Sequence, residues 1–215
     1  MDFLFNKLVI IPAILLGFTF HEFAHAKVAD MLGDKTPRFQ GRLTFNPLKH
    51  IDPLGTLMIL LVGFGWAKPV ETNPSAYKNY YKDDLKVSLA GPLTNLLLAI
   101  IGYICYVLFS ILQFKTGIIP EVFVVVIAKM IYAILTINTM LFVFNLLPLP
   151  GLDGFAILRD LKPNFFYKIS DSLYRYQMII IILIAFGGSK IIGIPIKYIQ
   201  DGIILLVNGI FGIFF

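Results

Sequence analysis

The sequence predicts an all-α polytopic membrane protein, and three observations carry that prediction. Hydrophobic residues make up 58% of the chain and charged ones 14%, whereas soluble domains run nearer half apolar and a quarter charged. The mean hydropathy is +0.81. The apolar residues are gathered into long runs nearly free of charge, and about 20 helical residues suffice to cross the hydrocarbon of a bilayer. About five such helices are expected, with a re-entrant or β-type loop on the cytoplasmic side between the first two.

The first helix is expected from about Leu8 to Met31; it is uncharged until Phe20 and carries two histidines and a glutamate in its second half. It has no small-residue cleavage site before the histidines, so it reads as a retained anchor. A second is expected from Val87 to about Leu112, with Gly91-Pro92 at its start, where proline is tolerated. The third runs from about Val122 to Leu147 with Lys129 as its only charge. Beyond a polar stretch from Arg159 to Arg175, a fourth is expected at about Tyr176 to Phe186 and a fifth at about Tyr198 to Phe215.

The connection from Gly33 to Lys86 is rich in Pro and Gly. Its middle, Leu54 to Trp66, is apolar but short for a span, which suggests a segment that enters the membrane and returns. Such a segment also offers an edge on which an unwound peptide adds as a strand. Between Asp34 and Lys86 lie Lys35, Arg38, Arg42, Lys49, Lys68, Lys78, Lys82 and Lys86, against only Lys115 in the link between the second and third helices. By the positive-inside rule the long connection is cytoplasmic and the short link lies outside. The end of the first helix, the start of the second and the end of the third therefore converge near the cytoplasmic face.

His21-Glu22-Phe23-Ala24-His25 is an HExxH pattern. Residues four apart share a helix face, so both imidazoles can chelate one divalent ion. Glu22, beside the first, can then act as general base toward a water activated by that ion. Ionisable groups in an apolar helix cost roughly 2.5 kcal/mol or more each, which makes an idle trio expensive to keep. A catalytic zinc takes three protein ligands and one open position. The candidates for the third are Asp153, His50, Asp30 and Asp52. Asp153 lies at the cytoplasmic end of the third helix, the depth assigned to the histidines. His50 sits among polar residues and reads more simply as a titrating surface histidine. Asp30 is about 180° round the helix from His21, and Asp52 precedes a proline and reads as a turn residue.

HEFAH in the first apolar helix, AGPLTN opening a later one and NLLPLPGLDG closing another resemble the site-2 protease family of intramembrane zinc metalloproteases. NPLKHIDPLG and GWAKPV resemble its compact prokaryotic members without PDZ or CBS domains, and the likeness covers roughly residues 15 to 160. It implies His21, His25 and Asp153 as ligands of one zinc ion per chain and Glu22 as the base. It also implies Asn145, eight residues before Asp153, as a group that holds the oxyanion or substrate. The implied arrangement is a single integral membrane protease domain over residues 1–215, with a catalytic core at about 4–160 and C-terminal spans at about 170–215. The implied partners are a transmembrane protein or peptide substrate and the lipid bilayer. The implied location is a prokaryotic plasma membrane with the active site toward the cytoplasm.

Other readings predict different patterns. A metal transporter or sensor would spread its ligands along a path across the membrane, and an inactive protease-like scaffold would not need Glu22. The net charge of +5 comes without the basic and aromatic interleaving that nucleic acid requires. The single cysteine, Cys105, forms no intramolecular disulfide.

Overall fold

The computed structural model describes residues 2–62, 65–187 and 189–212. The described residues form eight α-helices in order: α1 Asp2–Leu32, α2 Thr36–Phe39, α3 Pro53–Val62, α4 Tyr80–Thr116, α5 Glu121–Asn145, α6 Asp153–Leu161, α7 Pro163–Gly187 and α8 Ser189–Gly212. There is no strand among the described residues, only a single antiparallel bridge between Ile51 and Ala67. Among the described residues, four helical segments are long and apolar enough to cross a membrane: Phe5–Leu32, Tyr80–Thr116, Glu121–Asn145 and Ile192–Gly212. The run expected at Tyr176–Phe186 is the second half of α7, and residues 213–215 of the last expected segment lie outside the described residues.

Helices α1, α4 and α5 form the central bundle. Its contacts use small buried residues, Ala13, Ala26 and Ala29 on α1, Ala99 on α4 and Ala133 on α5. Small residues let helix backbones approach closely, which is how packing energy is gained where lipid removes the hydrophobic drive between helices. Ile203 and Val207 of α8 join a cluster with Ala99 and Tyr103 of α4 and Leu135 of α5. Leu93, Leu97, Ile101 and Leu108 of α4, Val125 of α5 and Leu205 of α8 are exposed. An apolar surface of that extent is what a bilayer covers.

Two expectations need correction. Helix α4 begins at Tyr80, so Gly91-Pro92 lies one-third of the way along it and not at its start. The polar residues from Tyr80 to Lys86 form the first turns, extending the helix beyond its apolar part. The stretch expected as a re-entrant or β-type loop is helical over Pro53–Val62 and presents no strand edge there. Asp52 Oδ1 accepts from Gly55 N at 2.7 Å, and Pro53 is preorganised for a first turn. Ten residues of helix rise about 15 Å, half the hydrocarbon thickness. The chain does come back: a Cβ on Gly65 would lie 2.9 Å from Gly55 C, so two glycines allow the returning backbone to touch the start of α3. Gly63 and Phe64 of this stretch lie outside the described residues.

Candidate metal centre

His21 and His25 project from one face of α1, about 16 Å and 10 Å along the helix from its end at Leu32. Both are buried, with 6% and 7% of their surfaces exposed. Asp153 reaches them from the first residue of α6. Gly151, at φ +86°, turns the chain after α5. Gly154 lies so close to the Leu146 and Leu147 carbonyls that a Cβ would collide with them. The Asp-Gly pair therefore combines a functional side chain with the absence of one.

The three side chains converge. Nε2 of His21 and Nε2 of His25 are 3.0 Å apart, His21 Nε2 is 3.2 Å from Asp153 Oδ2, and His25 Nε2 is 3.3 Å from Asp153 Oδ1. Among the described residues these form the one group of three or more His, Cys, Asp or Glu with ligand atoms all within 4.8 Å of one another.

Hydrogen bonds at the far side of each ring determine which nitrogen carries the proton. His25 Nδ1 donates to Val87 O at 2.7 Å, since a carbonyl can only accept. For His21 the argument runs through two amides. Asn138 Nδ2 donates to Ile134 O at 2.9 Å, which turns Asn138 Oδ1 toward Asn95 Nδ2, also at 2.9 Å. Asn95 Nδ2 donates as well to Gly17 O at 3.2 Å, leaving Asn95 Oδ1 as the acceptor 2.6 Å from His21 Nδ1. Both Nε2 atoms thus present bare lone pairs to each other and to a carboxylate. Asp153 Oδ2 is buried with no hydrogen-bond partner among the described residues. Acceptors brought this close repel unless a cation lies among them, so the residues fit a divalent metal, and two imidazoles with a carboxylate are a zinc donor set.

Pro92 has a part in this geometry. Lacking an N–H, it opens the hydrogen-bond ladder of α4 next to Val87, whose carbonyl serves His25. Gly91 leaves room for both rings, since a Cβ there would fall 2.6 Å from His21 Cε1.

Glu22 is buried, and its Oε2 accepts from Val70 N at 2.7 Å. Arg42 Nη2 lies 3.9 Å from the same oxygen. Asn145, at the last residue of α5, gives its amide nitrogen to Leu141 O at 2.9 Å and makes no hydrogen bond to the trio among the described residues. The other candidates are engaged elsewhere. Asp30 binds Arg38 through two bonds of 2.8 and 2.7 Å and pairs with Lys35 at 3.2 Å. Asp52 caps α3. His50 is not the surface histidine expected: it is fully buried, donates Nε2 to Thr44 O at 2.7 Å, and has its pKa lowered by burial. Its neighbours in sequence are polar, but the loop folds over it. Val87, Val70 and Arg42 were not singled out from sequence. Two act through backbone atoms, which leave no side-chain signature, and Arg42 was only one of eight loop cations.

The model of a family described as Peptidase family M50 matches residues 9–131, a span that holds His21, Glu22 and His25. The chain is also similar to three proteins that carry the name "Putative zinc metalloprotease". It is 38% identical to YwhC of Bacillus subtilis over 97% of each chain. It is 33% identical to Rip2 of Mycolicibacterium smegmatis over 70% of this chain and 56% of that one. With MJ0611 of Methanocaldococcus jannaschii the identity is 31%, over 72% of this chain and 73% of that one. No solved structure matches the chain at a significant level.

Proposed function

Because the chain belongs to peptidase family M50, the site-2 protease family, we propose that this multi-pass membrane metalloendopeptidase hydrolyses peptide bonds of membrane-embedded proteins near the cytoplasmic face of the cell membrane. The observation that carries the reading is the meeting of two bare imidazole nitrogens and one carboxylate, 3.0 to 3.3 Å apart, inside a helical bundle. His21, His25 and Asp153 hold one zinc ion per chain, and residues 1–215 act as one protease domain.

Bound zinc supplies Lewis acidity, bringing the pKa of a water to about 7 and polarising a carbonyl. Glu22 takes the proton of the attacking water and returns it to the leaving amine. Asn95 and the Val87 carbonyl hold the two rings in the tautomer that can ligate. Asn145 assists the oxyanion by exchanging its bond to Leu141 O for one to substrate. A peptide bond in a helix is shielded by side chains and hydrogen bonds, so the substrate presents an unwound segment to the site. A transport reading is disfavoured because the single such cluster among the described residues lies at one level of the bundle.

The test is cleavage of a single-span membrane substrate by the purified chain in detergent, with zinc content measured in parallel. Glu22→Gln is expected to keep zinc and lose about two to four orders of magnitude in rate, and Asp153→Asn to lose zinc and activity together. Cleavage by Glu22→Gln at the wild-type rate would overturn the assignment.

A further inference from the structure

Outside the metal trio, the most constrained group near the chemistry is Arg42, which lies in the loop before the NPLKHIDPLG stretch and has only 4% of its surface exposed. Its Nη1 donates to Lys49 O and its Nη2 to Lys68 O, so one guanidinium joins two loop segments 19 residues apart (68 minus 49). The same segments are tied by Lys68 N donating to His50 O at 2.9 Å and by the bridge between Ile51 and Ala67. Two residues beyond Lys68, Val70 N donates to Glu22 Oε2 at 2.7 Å, the oxygen that Arg42 Nη2 faces at 3.9 Å. Oε1 receives no protein donor among the described residues.

We propose that Arg42 is a positioning residue for Glu22: by clamping the Lys49 and Lys68 carbonyls it presents the Val70 N–H to Oε2 and leaves Oε1 to the reaction. This inference rests on the reading of Glu22 as general base. A carboxylate on a long side chain has several rotamers, and a proton acceptor works only in the one aimed at its water; misplacement by about 1 Å costs on the order of 100-fold. The clamp needs a planar fork that reaches two carbonyls at once. Arginine supplies it, whereas lysine has a single ammonium on a flexible stem. Arg42 is buried without a hydrogen-bonded carboxylate among the described residues, and burial lowers its pKa while Glu22 opposes that shift, which gives the cation a second reason to sit beside Glu22.

The experiment uses the full zinc-loaded chain with a single-span substrate, and measures kcat and KM separately, zinc content and thermal unfolding for four variants. Arg42→Ala is expected to lower kcat by about 10- to 100-fold, with KM within about twofold and zinc retained. Arg42→Lys is expected to recover only part of that loss. Val70→Pro removes the N–H without touching Arg42 and is expected to lower kcat similarly. The double variant Arg42→Ala/Val70→Pro should then be no worse than the poorer single, because both changes act through one carboxylate. Unchanged kcat in Arg42→Ala overturns the proposal, as does a loss of zinc or of folding that accounts for its defect, or full multiplication of the two single effects. Glu22→Gln, run alongside, separates the two readings: if it cuts normally the base assignment itself fails, whatever Arg42 does.

Discussion

Asn95 shows how a residue that looks structural in the sequence acts on the site. An amide inside an apolar helix reads first as an interhelical hydrogen bond, and it makes one, to Asn138 Oδ1 at 2.9 Å. That bond is also what turns its oxygen to His21 Nδ1. Replacing Asn95 with Ala removes the acceptor and frees the ring to rotate or change tautomer. Zinc affinity is expected to fall about 10- to 100-fold, the usual cost of losing such a support, as measured by competition with a chelator. Affinity equal to wild type would mean that the ring needs no support from α4. The meeting of the HExxH pair with the Asp of PLPGLDG could be expected because each is an uncommon residue in its setting. The contribution of Val87 could not be, since any residue has a backbone carbonyl and nothing in the side chain marks this one.

At the scale of elements, the long apolar helices could be read from charge-free runs, but α6 and the first half of α7 could not. The polar stretch expected from Arg159 to Arg175 covers only the end of α6 and the first half of α7, and amphipathic helices there show no long apolar run. Yet α6 carries Asp153, and its seat on α4 depends on Arg159, which binds both Asp84 and Asp160, the latter at 2.8 Å. Phe155 of α6 also packs at a tilt against Phe166 and edge-on against Tyr174 of α7, with centroids 4.7 and 5.2 Å apart. Removing Arg159 would leave two buried carboxyls facing each other, a loss of about 3 kcal/mol or more by the usual cost of a broken buried pair. Burial already raises the Asp160 pKa above the ordinary carboxyl value despite the guanidinium. A group raised on folding favours the native state below its unfolded pKa, and that contribution disappears as pH climbs through the folded value. In Arg159→Ala this rise is larger, so the variant is expected to unfold at a lower temperature than wild type by a margin that widens from pH 5 to pH 8. A margin independent of pH would show that the carboxyls are not what Arg159 neutralises.

For the whole molecule, the decisive question is which way the bundle faces, and charge distribution supports the proposed orientation. The loop over residues 33–79 carries the basic residues and packs over Glu22 through Val70 and Arg42. The far end of α4 carries Lys115 alone in its last turn, and residues 117–120 between α4 and α5 carry no charge. The proposed orientation has α4 crossing once between them, which would put the two on opposite sides and, by the positive-inside rule, the loop and the metal trio on the cytoplasmic side. The single cysteine makes this testable. In a Cys105→Ser background, Lys49→Cys and Lys115→Cys each introduce one thiol at an exposed position. A membrane-impermeant maleimide added to intact cells is expected to label Lys115→Cys and to reach Lys49→Cys only after the membrane is opened, while both variants still cut a single-span substrate. The reverse pattern would place the site at the outer face. The substrate's scissile segment would then have to be sought on that side, with the mechanism of Glu22 and its three neighbours unchanged.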